Sequence, residues 1–374
     1  MNNADPQPRG SEAYRIGRRR LLDQLGIEPT PELRTLEQQI LRHEPSLAPP
    51  PKRRMHLVGG SRRARISLAG VVALVAAAVT AGLVFGLGSG AGRRLADANT
   101  AALVGPDGRI ATEIPVGDSP AHAAIGGGFL WTSNERDGTV SRVDRADRSI
   151  ETVPVGRSPE GLAFADGYLW VAVGGESRIA VIDPRAGKVV ARIRVGSGPI
   201  GLAARGHELW VANSIDGTLS TIDTRFWRRL RTVRVGPQPS AVAAAADAVW
   251  VTLVGSSSVA ELDREGRSIV QTISVGSNPA AVAVDANRVW VANAEDGTIS
   301  RVDPARGTVD ATVAVAGEPR SLASGAGTVW AAVTGGRLVR IDARSARVIR
   351  TSTTGGEPAA VAADGPNAWV AILA

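Results

Sequence analysis

Apolar and polar positions run with two different rhythms through residues 275–313. The stretch Arg288-Val-Trp-Val-Ala-Asn293 is nearly continuous in apolar side chains, which predicts a strand covered on both faces. The stretch from Thr308 to Val315 alternates instead, with Val309, Ala311, Val313 and Val315 on one side, and predicts an outer strand with a wetter face. Two more strand candidates cover Ala280–Asp285 and Gly297–Asp303. The breaks between the four fall on turn chemistry at Asp285 to Asn287, Asp296-Gly297 and Asp303-Pro304 to Gly307. In an earlier copy the outer run carries Lys188, Arg192 and Arg194, charges that oppose edge-to-edge pairing.

The unit repeats. Trp131, Trp170, Trp210, Trp250, Trp290, Trp330 and Trp369 are spaced by 39, 40, 40, 40, 40 and 39 residues. Pro120, Pro159, Pro199, Pro239, Pro279, Pro319 and Pro358 repeat with the same spacings. Four short strands per repeat of about 40 residues is the arithmetic of a β-propeller blade, and seven such blades need about 280 residues. Residues 100–374 supply 275. The last copy stops after two strands, Ala359–Ala363 and Ala368–Leu373, and its missing half has a match in Ala101–Val116. The expected fold is therefore an all-β, seven-bladed β-propeller closed by strands from both termini. Each repeat tryptophan sits in a second strand and is assigned to packing between blades, where burying one ring contributes about 4–6 kcal/mol as an upper bound. The alternative is an exposed binding ladder.

Ahead of the repeats, residues 66–87 hold no charge over 22 positions, long enough at about 1.5 Å per residue to cross a hydrocarbon core of about 30 Å. Lys52, Arg53, Arg54, Arg62, Arg63 and Arg65 flank this stretch on its N-terminal side, and only Arg93 and Arg94 follow it. That asymmetry predicts a single-pass transmembrane helix with a cytoplasmic N-terminus and an extracytoplasmic propeller in the cell membrane. A cleaved signal peptide and a buried core helix are the alternatives. The chain then divides into a helical segment (1–50), a basic juxtamembrane linker (51–65), the span (66–87), a linker (88–99) reaching at most about 40 Å, and the propeller (100–374).

Composition changes one part of this picture. The 374 residues carry 43 Lys+Arg and 36 Asp+Glu, a net +7 that by itself suggests nucleic acid as a partner. Residues 1–65, however, hold 13 basic and 7 acidic side chains, residues 66–94 add only two arginines, and residues 95–374 hold 28 against 29. The excess belongs to the flanks of the apolar segment, and no direct nucleic-acid binding is expected of the chain. All the basic residues but Lys52 and Lys188 are arginine. Cysteine is absent, which excludes disulfides, thiolate zinc sites, iron–sulfur clusters and a cysteine nucleophile.

The phrase Val275-Gly276-Ser277-Asn278-Pro279, followed by Val289-Trp290-Val291-Ala292-Asn293 and matched by Val211-Ala212-Asn213, resembles the YVTN-type repeats of YncE-like seven-bladed propellers. The resemblance covers about three quarters of the chain and implies the fold; such propellers serve many roles. A second phrase, Leu25-Gly-Ile-Glu-Pro-Thr-Pro-Glu-Leu-Arg34, resembles the C-terminal end of the bacterial transcriptional activator domain of SARP-type regulators. Thr30 as N-cap and Pro31 at the first helical position predict a helix through Leu33, Leu36, Ile40 and Leu41. The remainder of that domain and its winged-helix DNA reader are not in this sequence. The segment therefore reads as a remnant or the tail of a longer reading frame.

Candidate chemistry is sparse. His122 follows Pro120 by two residues at the start of an innermost strand, where the other copies place Gly161, Gly201, Ala241, Ala281, Ser321 and Ala360. The adjacent ring position holds Glu160 and Arg320 among Ala121, Ile200, Ser240, Ala280 and Ala359. His122, Glu160 and Arg320 are therefore candidate ligand-binding residues at a channel mouth, suited to an anionic or polar ligand; unrelated drift in a solvated tunnel is the competing reading. His207 is assigned to a solvated turn. The hairpins at Asn134–Gly138, Asn213–Gly217 and Asn293–Gly297 suggest calcium at first sight, but their spacing fits turns with left-handed glycine, and no metal or cofactor is expected. Phe226, Trp227 and Arg228, where other copies use Pro-x-x-Gly, are a candidate partner contact, with local turn packing as the alternative. The leading function is a membrane-anchored extracytoplasmic binding module for an unknown protein or small polar ligand. The sensor half of a membrane-bound transcriptional regulator comes second, and a propeller lyase or hydrolase third.

Overall fold

The computed structural model describes residues 99–285 and 288–374. The expected helical segment, basic linker, transmembrane span and all of the following linker except Asn99 lie outside the described residues. Among the described residues no helix is long and apolar enough to cross a membrane.

Twenty-eight strands form seven four-stranded antiparallel sheets. Blade 1 consists of β3 (Pro120–Gly126), β4 (Phe129–Asn134), β5 (Thr139–Asp144) and β6 (Ile150–Pro154). Blade 2 begins with β7 (Pro159–Ala165) and β8 (Tyr168–Val173), and blade 3 with β11 (Pro199–Arg205) and β12 (Glu208–Asn213). In the copy read first from the sequence, strands cover Pro279–Asp285, Arg288–Asn293, Thr298–Asp303 and Thr308–Ala314, within two residues of each predicted boundary. The innermost strand starts at proline because the residue opens the strand from a loop, where its missing N–H breaks no ladder hydrogen bond.

Closure follows the expected division. β1 (Thr100–Val104) and β2 (Ile110–Pro115) join β27 (Glu357–Asp364) and β28 (Asn367–Leu373) in one sheet, in the order β2-β1-β28-β27. The β1–β28 register runs from Thr100 opposite Ile372 to Val104 opposite Ala368. The two ends of the propeller meet there. The Asn99 carbonyl accepts the Val116 N–H at 3.0 Å, its Nδ2 donates to Asp118 at 3.1 Å, and its Oδ1 accepts the Ala374 N–H at 3.2 Å.

The core lies between blades. Trp131 packs with Leu169 and Val171 of blade 2, and Trp170 with Leu209 and Val211 of blade 3. Trp210, Trp250, Trp290 and Trp330 repeat the contact around the ring, and Trp369 closes it against Leu130 of blade 1. All seven are buried, so none forms a binding ladder. Arginine has a matching role. Arg142, Arg301 and Arg340 occupy one position in the third strands, and each donates to a carbonyl in an outer turn of the next blade, those of Pro184, Arg344 (2.8 Å) and Pro106 (2.9 Å). Each also lies over an aromatic ring, Phe129 at 4.8 Å, Trp290 at 5.8 Å and Trp330 at 5.3 Å. A rigid planar fork that is always charged can stack and donate at once, which lysine cannot.

Candidate functional site

All seven innermost strands shift register directly after their proline, as at Pro120/His122, Pro159/Leu162 and Pro358/Ala360. A bulge of this kind re-aims successive side chains toward the same side. Adjacent positions such as Ala121, His122 and Ala123, or Ile200, Gly201 and Leu202, therefore line one cavity of about 240 Å³ at the channel mouth. Its wall is tight where strands approach. A Cβ on Gly161 would lie 2.2 Å from the Ile200 carbonyl oxygen, and one on Gly201 2.2 Å from that of Ser240.

The structure brings two of the three candidate mouth residues together. His122 Nδ1 lies 3.8 Å from Glu160 Oε2, beyond hydrogen-bond distance, and Nδ1 is buried without a hydrogen-bond partner. Burial lowers the His122 imidazole to about 4. Burial also raises the Glu160 carboxyl to about 7, and the like charge of Glu135 adds to the rise. The two side chains keep 38% and 24% exposure, but onto a narrow protein-walled channel that solvates a charge less well than open surface. Near neutral pH, His122 is thus uncharged and Glu160 divides between its two forms. Arg320 lines the same cavity, yet its guanidinium pairs with Glu318 at 3.1 Å. The Ser240 hydroxyl is engaged by Thr252 (2.8 Å) and the Pro279 carbonyl (3.1 Å).

The loops around this mouth are clamped by their own side chains. Asp137, Asp216 and Asp296 accept the backbone N–H groups of Asp118, Ser197 and Ser277 at 2.6, 2.7 and 2.8 Å. Asn134, Asn213 and Asn293 donate to the hydroxyls of the following strand, and Gly138, Gly217 and Gly297 turn at φ +66°, +67° and +63°. These hairpins are turn clamps, as their spacing suggested. Among the described residues no three His, Asp or Glu side chains gather as a metal site. The loops joining second to third strands and blade to blade carry eight acidic residues and two arginines, so this face is acidic. The turns of the opposite face carry six acidic residues and nine arginines.

On that opposite face the sequence reading missed a partnership. His207 sits in an exposed turn as expected, but its Nδ1 lies 2.8 Å from Asp166, one blade back, which also accepts the Thr224 hydroxyl. Burial works to raise the Asp166 carboxyl, but the hydrogen bonds from Thr224 and His207 outweigh it and hold the group below its ordinary value. A separation of 41 residues, one more than the repeat, was the available signal. The nearby aromatic tip divides. Trp227 turns inward and meets Tyr168 edge-on at 5.1 Å, whereas Phe226 is 65% exposed between Arg225 and Arg228, at 5.3 and 5.7 Å from its ring centre.

No protein-family model and no curated protein sequence matches the chain. Solved structures do match in fold. One is a Kuenenia stuttgartiensis hydrazine synthase chain, with a TM-score of 0.58 and 20% identity over 67% of this chain and 90% of that one. Another is the computationally designed Ika8 protein, with a TM-score of 0.50 and 13% identity over 69% of this chain and 98% of that one. At such identities the likeness extends to the propeller fold alone.

Proposed function

We propose that the chain is a membrane-anchored, extracytoplasmic binding module whose recognition site is the channel mouth. The observation that carries the reading is the break in repetition there. Around a ring of small residues, His122, Glu160 and Arg320 line or border one cavity, while the repeat tryptophans and the strand-three arginines are engaged in holding blades together. The uncharged stretch 66–87 and its basic N-terminal flank support the anchor and its orientation. The repeat phrases support grouping the propeller with the YVTN-type repeats of YncE-like proteins. The near-neutral propeller with its acidic mouth supports a partner other than nucleic acid.

The test is made on the full chain in a bacterial host. It should remain with the membrane through alkaline extraction, lose its propeller to protease added outside spheroplasts, and become soluble when residues 66–87 are deleted. A full chain that is soluble, or protected from external protease, would refute the anchored reading. The phrase Leu25–Arg34 supports a second reading, in which the propeller is the sensor half of a transcriptional regulator. In-frame translation upstream of Met1 that reveals a DNA-reading domain would favour it, and an immediate stop codon would sink it.

A further inference from the structure

We propose that the channel mouth takes a small organic cation, held by a primary ammonium group on the Glu160 carboxylate beside the His122 ring. This rests on the reading of the mouth as a binding site and names the ligand's chemistry. Three features of the geometry point to it.

First, the carboxylate is left unpaired. Glu160 has no cationic partner among the described residues, since the arginine on the same wall is taken by Glu318. The His122 ring beside it keeps 38% exposure and is uncharged near neutral pH, so it does not compete with an arriving cation for the carboxylate. Their separation of 3.8 Å is too long for a mutual hydrogen bond. It leaves the carboxylate free to accept from an ammonium nitrogen at about 2.9 Å. Second, the cavity of about 240 Å³ is walled mainly by glycine, alanine and aliphatic residues, interrupted by His122, Ser240, Ser321 and Arg320, which suits a short alkyl tail and excludes a folded partner. Third, the surrounding loops are acidic, eight carboxylates to two guanidiniums, and so concentrate cations and repel anions. A metal ion would need more ligands than this pair supplies, and no third His, Asp or Glu among the described residues converges with it.

The charged groups around Glu160 set the pH behaviour. His122 faces it from β3 and Glu135 from the loop after β4. Beyond Gly174, which packs on the Glu160 side chain, Glu176 accepts the Arg157 N–H and lies 3.9 Å from Arg192. Burial and Glu135 both oppose ionisation of Glu160, and an arriving cation relieves both. Binding should therefore release a proton near neutral pH and tighten as pH rises.

The test is titration calorimetry on the full chain in detergent, with n-butylammonium as probe and n-butanol and Zn²⁺ as comparators. Butylammonium is expected to bind one-to-one, at least about tenfold more tightly at about pH 8 than at about pH 5.5, with proton release seen across buffers of different ionisation heat. Butanol should bind at least about tenfold more weakly, and Glu160→Gln should remove both the affinity and its pH dependence. Should that variant not fold, the pH dependence of the unaltered chain decides the matter. Absence of saturable binding, equal affinity for butanol, insensitivity to pH, or a Zn²⁺ site that butylammonium does not displace would overturn the proposal. A chain that is anchored and outward-facing by protease accessibility, yet indifferent to butylammonium, would lose this inference and keep the broader one.

Discussion

The described residues contain two histidine–carboxylate pairs, and they behave in opposite ways. At the channel mouth, His122 and Glu160 stand 3.8 Å apart without a hydrogen bond, and burial drives each toward its uncharged form. On the opposite face, His207 and Asp166 touch at 2.8 Å, Thr224 donates to the same carboxylate, and Asp166 is held in its charged form. The residue types are nearly the same, so chemistry does not set the difference. Solvent access and the count of donors do: an unpaired carboxylate in a narrow channel is penalised for its charge, and a carboxylate with two donors at the surface is rewarded. The first arrangement is poised to accept something, and the second is already satisfied.

Several substitutions would break or sharpen that contrast. The largest effect is expected at the wall that keeps the mouth narrow. Gly161→Ala drives a methyl group toward the Ile200 carbonyl oxygen and should destabilise the chain by about 3 kcal/mol or more in chemical denaturation. Gly128→Ala, whose site has φ +89° and no neighbour within 4 Å, should cost only about 1–2 kcal/mol. Equal costs would deny the wall its role.

Next come the carboxylates, with opposite signs. Because folding raises the Glu160 group from 4.5 to about 7, the native state loses stability as pH climbs through that window. Glu160→Gln should therefore gain up to about 3 kcal/mol over the unaltered chain at alkaline pH, and nothing below the lower value. Asp166 is depressed, so its contribution is complete above its unfolded value of 3.8 and fades as pH falls through its folded one. Asp166→Asn should cost about 1 kcal/mol at neutral pH and progressively less in acid, as thermal melts across pH would show. Parallel pH trends for the two variants would erase the comparison. The smallest change belongs to Phe226→Ala, expected within about 0.5 kcal/mol because the ring is exposed and touches only mobile guanidiniums.

Much of the fold was legible because a propeller repeats its physics every 40 residues. The Trp and Pro periods, the near-continuous apolar second strand and the alternating outer strand each report one local environment, and seven copies average away the noise. The sharing of a blade between Ala101–Val116 and the last two strands followed from counting. The site was legible in part. Position in the ring singled out His122, Glu160 and Arg320, but not that Arg320 would prefer Glu318, two residues back, because a local pair forms with little ordering of the chain. The small side chains at Gly161 and Gly201 looked like a neutral channel lining, and their cause is the next strand's carbonyl oxygen. The Asp166–His207 contact was hidden because neither residue breaks any pattern alone, and only their separation of 41 residues, one more than the repeat, betrays it.

The meeting of Asn99 and Ala374 beside Val116 and Asp118 carries a mechanical consequence. Asn99 and Ala374 leave the ring at the same rim, and β1 and β28 run antiparallel from it, with Thr100 opposite Ile372 at the start. A force drawing the ends apart would load that first pair alone and open the ladder pair by pair, like a zip. A force along the strands on Asn99 alone would load the whole β1 ladder in shear, resisted on one side by β28 and on the other by β2. The ring thus resists a pull on Asn99 along β1 better than one that prises Asn99 and Ala374 from each other.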